Sequence, residues 1–339
     1  MKRSFFCFVL IMLVAVLPVF SQTLKSDFDP KTVTGYMEKF TSNLALSLPF
    51  NSSIGLNWSD AFVGKNPHFA VGAAFGYTIM ELGAIDKLFD LFSPALPDWL
   101  GGFGGFPIPG WSLEGRIGGW VIPFDIGLKF GILPLKGDNM KKNNIELFNY
   151  LMVGADFRWS ILDTFIKDEE LLEKLPLLSL SMGFNHLNGA LGLSAGNDKV
   201  FYYNSANDYI TVKAPKFTLD WKTESMDFKF QISKKLAIFT PYFGLGLSNG
   251  WSKAGFELKT KIEDSAGNLD NARNEFEKAG ISNLSSSGFS SSSPVFSGFS
   301  SRLFTGFSLT AALVKFDFSY MLNFLDLNYG VSFGIRFQK

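Results

Sequence analysis

The sequence has 339 residues, 31 basic and 31 acidic side chains, and a formal net charge of zero at pH 7. That balance gives no reason to expect binding to nucleic acid, which requires a basic surface. Charged residues make up 18%, hydrophobic residues 47% and aromatic residues 16%, with 38 Phe and 33 Gly. Few charges beside many apolar aromatic residues and glycines favour thin β-strands with an apolar outer surface.

The N-terminus has the composition of a secretory signal peptide. Two basic residues precede the apolar run 5–20, and the small residue Ser21 marks the predicted cleavage site, so residues 1–21 would be removed. The run is shorter than the roughly 20 residues of a membrane-spanning helix, and no later run is long enough. Cleavage would leave a chain that begins at Gln22 and has lost Cys7, the single cysteine, which excludes disulfides.

An exported, apolar chain without spanning helices is either a transmembrane β-barrel or a secreted β protein. Residues 22–43 form the predicted N-terminal periplasmic or plug segment, and a short helix is expected within it at residues 31–40. The apolar residues that share one face of this helix are Val33, Tyr36, Met37 and Phe40. The helix either plugs the barrel from the periplasm or rests on the barrel rim.

The barrel itself is predicted to span residues 44–337. Residues 44–58 alternate between apolar and polar side chains and predict a hairpin, and clearer alternation follows from residue 69 onwards. Tight turns are predicted at 223–225 and at Asn249-Gly250. The fold class is therefore all-β: a closed antiparallel transmembrane β-barrel of about 14 strands, with about 12 as the alternative, since bacterial barrels have even strand numbers.

Long and short connections alternate along the chain. Long loops are predicted at residues 81–110, 197–215 and 263–301, with a shorter charged loop at 136–144, and all of these fall on the outside of the membrane. Residues 199–214 predict a tyrosine-rich hairpin within its loop, and the serine-rich stretch 285–301 reads as flexible. A helical connection is predicted near 163–175, on the periplasmic side.

The polar faces of the predicted strands carry charges of both signs. Unpaired Arg or Lys facing lipid would cost about 2–4 kcal/mol each, so these charges should face the lumen. The predicted lumen-facing residues are Glu114, Arg116, Asp125, Lys129, Asp156, Arg158, Asp220, Lys222, Asp227, Lys229, Asp317 and Arg336. Their balance argues against strong ion selectivity. Two interpretations remain: the lumen conducts or takes up solutes, or the charges pair and fill it.

Catalysis has little support in the sequence. The two histidines are His68 and His186, and only His186 has serines nearby, at Ser179 and Ser181. A serine–histidine pair is needed by barrel hydrolases, but this spacing is generic. No metal-ligand spacing, phosphate loop or nucleophile elbow occurs. We therefore predict no enzyme activity, no metal and no cofactor. The seven tryptophans, Trp58 among them, often fall near predicted strand ends, as in an interfacial girdle.

The last strand, residues 327–337, places apolar side chains on one face and small or polar ones on the other. The apolar face is the predicted assembly signal: Tyr329, Val331, Phe333, Ile335 and Phe337. Together with the signal peptide and the alternating strands, it resembles bacterial outer-membrane β-barrel proteins of the porin-like kind. The resemblance implies outer-membrane localisation, contact with outer-membrane lipid, and recognition by the barrel-assembly machinery. Gln338 and Lys339 follow the aromatic residue, where many members of that class end.

A 14-stranded barrel with a plug is also similar to transporters of the long-chain fatty-acid type, by architecture alone. The resemblances imply a passive outer-membrane channel or uptake barrel for small or hydrophobic solutes, with a small molecule or lipid as substrate. The alternative is a non-conducting surface barrel that acts in adhesion or structure through its external loops. An outer-membrane enzyme that depends on His186 is a third hypothesis.

Overall fold

The computed structural model describes residues 30–61, 63, 68–80, 105–119, 123–134, 145–166, 168–194, 199–202, 209–212, 216–259, 262–264, 289–292 and 294–338. The predicted signal peptide lies outside the described residues. So do the predicted 136–144 loop and most of the 81–110 and 263–301 loops.

The described chain contains three helices and fourteen strands, of which ten form one ring. The helices are α1 (Pro30–Asn51), α2 (Ile161–Phe165) and α3 (Glu169–Lys174). The ring strands are β1 (His68–Met80), β2 (Phe106–Gly118), β3 (Phe124–Ile132), β4 (Ile145–Ser160), β5 (Leu177–Ser194), β8 (Lys216–Ser233), β9 (Phe239–Lys259), β12 (Phe296–Ala311), β13 (Val314–Asn323) and β14 (Tyr329–Gln338). The short strands are β6 (Lys199–Tyr202), β7 (Tyr209–Val212), β10 (Ile262–Asp264) and β11 (Phe289–Ser292).

The ring is a closed antiparallel barrel. Each ring strand pairs with the ring strands before and after it in sequence, and β14 pairs with β1, where Phe333 faces Phe75. Closure leaves no unpaired edge in the ring. The strands β6, β7 and β10 make a separate small sheet, and β11 pairs with β9.

The predicted count of 14 strands, and the alternative of 12, are wrong because the barrel has ten. The predicted hairpin at 44–58 does not exist, since α1 runs through Asn51 and the chain then continues without strand structure. The residues predicted as turns at 223–225 and at Asn249-Gly250 lie in the middle of β8 and β9. Two predicted hairpins are therefore two single long strands.

The error in β8 has a physical cause, which is that its apolar side chains change faces partway along an unbroken strand. Leu219 and Trp221 point into the barrel, whereas Phe228 and Phe230 point outward, and the pairing with β9 continues without a bulge between them. Side chains alternate at a period of two, so a change of apolar phase resembles a turn in the sequence. Here it marks the level at which the lumen changes from charged to apolar side chains.

The same change of phase occurs in β9. Phe243, Leu245 and Leu247 face outward, and Ala254 and Phe256 face inward. Gly250 is needed for packing and not for a turn, because a Cβ there would lie 2.7 Å from Cγ of Pro49 in α1. This glycine lets the helix approach the wall.

The barrel interior therefore has an apolar zone and a charged zone. In the apolar zone, wall residues surround α1, whose buried side chains are Met37, Phe40, Leu44, Ala45 and Leu48. The surrounding wall residues are Ile108, Phe148, Tyr150, Met152, Leu187, Leu219, Trp221, Ala254 and Phe256. The predicted helix at 31–40 is thus the first half of a 22-residue helix that lies inside the barrel.

The connections sort into two sets at the two ends of the barrel. One end, the short-turn end, carries the β2–β3, β8–β9 and β12–β13 turns and the helices α2 and α3 of the predicted 163–175 connection. The other, the long-connection end, carries the connections that follow β1, β3, β5 and β9, and the β13–β14 turn. The hairpin predicted within 199–214 is confirmed by the pairing of β6 with β7. The predicted loops 81–110 and 263–301 extend too far at their C-terminal ends, since β2 begins at Phe106 and β12 at Phe296.

None of the helices in the described part of the chain is long and apolar enough to span a membrane.

The change of phase in β8 predicts that two adjacent residues contribute very differently to stability. Trp221→Ala should lower the free energy of unfolding by about 3–5 kcal/mol, because it removes a buried aromatic side chain from the cluster around α1. Lys222→Ala should change it by less than about 0.5 kcal/mol, because Lys222 is 57% exposed on the outer face. Denaturant unfolding of the detergent-solubilised protein, followed by far-UV circular dichroism, measures both. Equal losses would contradict the observed register.

Candidate functional site

The charged zone of the lumen lies between the apolar zone and the short-turn end. Its first group centres on Arg116, whose Nη1 donates to Asp125 Oδ1 at 2.6 Å and whose Nη2 donates to Asp156 Oδ2 at 2.6 Å. Arg158 donates to Asp125 as well, and Lys229 Nζ lies 3.3 Å from Asp156 Oδ2. All five side chains are buried, so each charge depends on the others for its compensation.

Two further groups continue the network around the ring. On β12, Arg302 Nη2 donates to Asp227 Oδ2 at 2.8 Å. On β14, Arg336 Nε lies 2.8 Å from Asp317 Oδ2, and its Nη2 lies 3.0 Å from Asp60 Oδ2. The pair of Arg336 with Asp60 matters because Asp60 belongs to the chain that passes through the lumen, and not to the wall.

Residues 52–61 pass through this network. They are called the plug segment from here on, and they are distinct from the predicted segment 22–43. Wall side chains supply hydrogen bonds to the non-strand backbone. Lys129 Nζ donates to the Ser52 carbonyl at 2.7 Å and to the Ile54 carbonyl at 2.8 Å, and Leu56 N donates to Glu114 Oε1 at 2.8 Å. A buried backbone that is not paired within a sheet or a helix needs such hydrogen-bond partners.

The lower part of the plug segment is held in the same way. Gln231 Nε2 donates to the carbonyls of Trp58 and Ser59, both at 2.9 Å, and Arg158 donates to the Asp60 carbonyl. Ser59 Oγ lies 2.6 Å from Ser308 Oγ on β12. The wall therefore anchors the segment from several sides of the ring.

Trp58 is the central side chain of the plug segment. Two guanidinium groups lie over its ring, with Arg116 Cζ at 5.2 Å and Arg336 Cζ at 4.6 Å from the ring centroid. Its Nε1 donates to Glu114 Oε2 at 2.5 Å. A desolvated cation–π contact is worth about 2 kcal/mol or more, so Trp58 links Arg116, Arg336 and Glu114 through its own side chain.

Side chains at the junction of α1 and the plug segment fix the depth of the helix. Asn51 Nδ2 donates to Thr78 Oγ1 at 2.8 Å and to the Ile108 carbonyl at 3.0 Å. Ser52 Oγ lies 2.8 Å from Ser225 Oγ of β8. These contacts lie at the level where the wall changes from apolar to charged side chains.

A small cavity of about 20 Å³ lies beside the plug segment, against β1, β13 and β14. Asn57, Trp58, Asp317 and Arg336 contribute its polar lining, and Gly334 is among the small wall residues there. A cavity of this size holds about one water molecule beside the plug segment.

Ten of the twelve predicted lumen-facing charges are buried inside the barrel, but Asp220 and Lys222 are not. These two lie on the outer face of β8, beyond the point where its phase changes, so their prediction is wrong. The network also includes residues that the sequence reasoning missed: Trp58, Asp60, Arg302 and Lys315. Trp58 was read as part of an interfacial girdle, and nothing in the local sequence around Asp60 indicates burial.

The remaining predicted sites lie on the outer face of the barrel. Phe333 and Phe337, from the predicted assembly signal, are exposed there. His186 faces outward with its Nδ1 2.6 Å from Glu224 Oε1, whereas Ser179 is buried on the inner face. A serine–histidine pair on β5 is thus not formed. Within the described residues no group of three or more His, Cys, Asp or Glu side chains is placed to hold a metal ion.

The network predicts that two aspartates, both on β-strands, differ sharply in their contribution to the free energy of unfolding. Asp125→Asn should lower the free energy of unfolding by about 3–5 kcal/mol, because it leaves Arg116 and Arg158 buried without their shared carboxylate. Asp220→Asn is the matched control on the outer face and should change it by less than about 0.5 kcal/mol. Denaturant midpoints of the folded, heat-modifiable band on gels measure both. A silent Asp125→Asn variant would contradict the pairing.

Three solved structures that are similar to this chain are outer-membrane barrels. Their sequence identity to it is low. The translocator domain of the autotransporter NalP from Neisseria meningitidis is 8% identical, with 90% of this chain and 98% of that chain covered and a TM-score of 0.32. The CymD monoaromatic hydrocarbon channel is 8% identical, with 88% and 93% covered and a TM-score of 0.27. The Pseudomonas putida toluene transporter TodX is 6% identical, with 96% of both chains covered and a TM-score of 0.24. Values this low transfer no function.

No curated protein matches the sequence. One family model does, and it is described as a family of unknown function, DUF6588. The match spans residues 126–335, from β3 to β14, and so covers more than half of the chain. The chain therefore belongs to the DUF6588 family.

Proposed function

We propose that the protein is an outer-membrane β-barrel whose lumen is closed by its own α1 and plug segment. It acts at the cell surface, in adhesion or structure, and not as an open pore. The observation that carries the proposal is the plug segment itself, which is bonded to wall side chains within a network of buried ion pairs.

The outer surface supports a membrane environment. Around the charged zone, large apolar side chains point away from the barrel on every ring strand. Examples are Phe69, Leu113, Leu128, Phe157, Phe184, Phe228, Leu245, Leu309, Phe318 and Phe333. Water-soluble monomers rarely expose continuous apolar patches beyond a few hundred Å². Apolar side chains outside and charges inside are the arrangement of a barrel in lipid.

The orientation follows from the two ends of the barrel. In bacterial outer-membrane barrels the short turns face the periplasm and the longer loops face the exterior. The wall near the long-connection end carries polar side chains outside, such as Asp220, Lys222 and Lys253, and the apolar zone inside. This end would project from the membrane into water. It provides the surface through which an adhesive or structural role would act.

The predicted channel or uptake role needs the plug segment to move. Displacing it would separate Asp60 from Arg336 and leave the Lys129 ammonium without the two carbonyls it binds. Breaking a buried ion pair costs about 3–5 kcal/mol when one partner is removed. Several such contacts acting together favour a lumen that stays closed.

Single-channel recording in planar bilayers tests the proposal. We expect the purified protein to give no conductance steps, because the charged zone is filled. A double variant, Ser52→Cys with Ser225→Cys, can tie the plug segment to β8, since the two hydroxyl oxygens are 2.8 Å apart. The oxidised and reduced forms of this variant should be equally silent.

Ser59→Cys with Ser308→Cys provides an independent lock at the other end of the segment, where the oxygens are 2.6 Å apart. Conductance in the wild type that oxidation of either variant abolishes, and reduction restores, would favour the channel role and overturn the closed-lumen proposal.

A further inference from the structure

Helix α1 enters the barrel from the long-connection end. Its Phe40 ring packs edge-to-face on Phe106, the first residue of β2, with centroids 5.8 Å apart. Its last residue, Asn51, is bonded to Thr78 and Ile108, closer to the charged zone. The N-terminal half of α1 is therefore the half nearer the long-connection mouth.

The plug segment leaves the barrel at the opposite end. Ala61 N donates to Ser233 Oγ at 2.9 Å, and Ser233 is the last residue of β8, at the short-turn end. Val63 N lies 3.4 Å from Asp163 Oδ2 of α2, also at that end. The chain from Phe40 to Val63 thus traverses the lumen from one mouth to the other before β1 begins.

Side chains of α1 and of the plug segment pack closely against the surrounding wall. Leu44, Leu48, Phe50 and Ile54 are almost completely buried, in contact with wall residues around them. Gly250 already allows the closest approach of Pro49 to β9. The first residue of α1, Pro30, therefore lies on the side of the long-connection mouth.

We propose that the barrel exports its own N-terminal segment, so that the chain before Pro30 emerges on the exterior face of the membrane. The inference rests on the proposed outer-membrane function, which sets the long-connection end outside. It goes beyond that function, because the barrel then serves as the conduit by which its own N-terminus crosses the membrane. A segment joined ahead of Pro30 is displayed on the cell surface.

Single-cysteine labelling on whole cells tests the topology. In a Cys7→Ser background, cysteines replace three exposed residues: Lys39 on α1, Leu327 in the β13–β14 turn and Lys235 in the β8–β9 turn. Folding of each variant is checked by its heat-modifiable band. A membrane-impermeant maleimide is applied to intact and to permeabilised cells, with a periplasmic protein as the control for leakage.

We expect Lys39→Cys and Leu327→Cys to label equally before and after permeabilisation, and Lys235→Cys to label only after it. An epitope tag inserted directly before Pro30 should bind antibody on intact cells. Labelling of Leu327→Cys without Lys39→Cys, or a tag hidden on intact cells, would overturn the export inference and leave the surface barrel standing.

Two other outcomes also overturn the inference. If all three variants are silent on intact cells, the barrel is not at the surface and the proposed function fails as well. If only Lys235→Cys labels on intact cells, the barrel has the reverse orientation and α1 enters from the periplasm.

Discussion

Compensation of buried charge is the constraint on which the structure depends. A ten-stranded ring lined with Arg, Lys and Asp cannot stay dry unless each charge has a partner, since the effective cost of burying a lone ion is several kcal/mol. Wall-to-wall pairs such as Arg302 with Asp227 meet part of this demand. The plug segment meets the rest through Asp60, Trp58 and its own carbonyl groups. Wall and plug are therefore parts of one electrostatic unit.

The direction of the apolar side chains follows from the surroundings at each level of the barrel. Around the charged zone the outside is apolar and the inside polar. Around α1 the inside is apolar and the outside polar. The strands β8 and β9 cross this boundary without a break, which is why they are as long as 18 and 21 residues. One continuous sheet thus lines both the charged zone and the apolar zone.

Much of this could be predicted from local pattern. Strict alternation in β3, β4 and β14 predicts strands with charges on one face, and ten of the twelve predicted lumen charges are where the pattern puts them. The strand count could not be predicted, because the change from a charged to an apolar lumen along one strand produces the same change of phase as a turn. Asp220 and Lys222 were misplaced for that reason.

The chain inside the lumen, α1 and the plug segment, could not be predicted from the local sequence for a different reason. Leu44, Leu46 and Leu48 alternate as in a strand, yet the spacing of Met37, Phe40, Leu44 and Leu48 also fits one helical face, and only the ring around it selects the helix. Leu46 is the residue of the alternating set that stays exposed. Likewise Asp60 and Trp58 acquire their roles from side chains on distant strands, and such pairings have no signature in a single sequence.

The cradle of wall residues around α1 has a further thermodynamic consequence. In that part of the molecule apolar groups are withdrawn from water, so folding there is driven by the hydrophobic effect and carries the heat-capacity change typical of water-soluble proteins. In the proposed membrane orientation, the outer side chains at the level of the charged zone face hydrocarbon, where that driving force does not act between protein groups. In that orientation, cold, heat and osmolytes should therefore act mainly on the part of the barrel around α1, as they do on a small water-soluble protein.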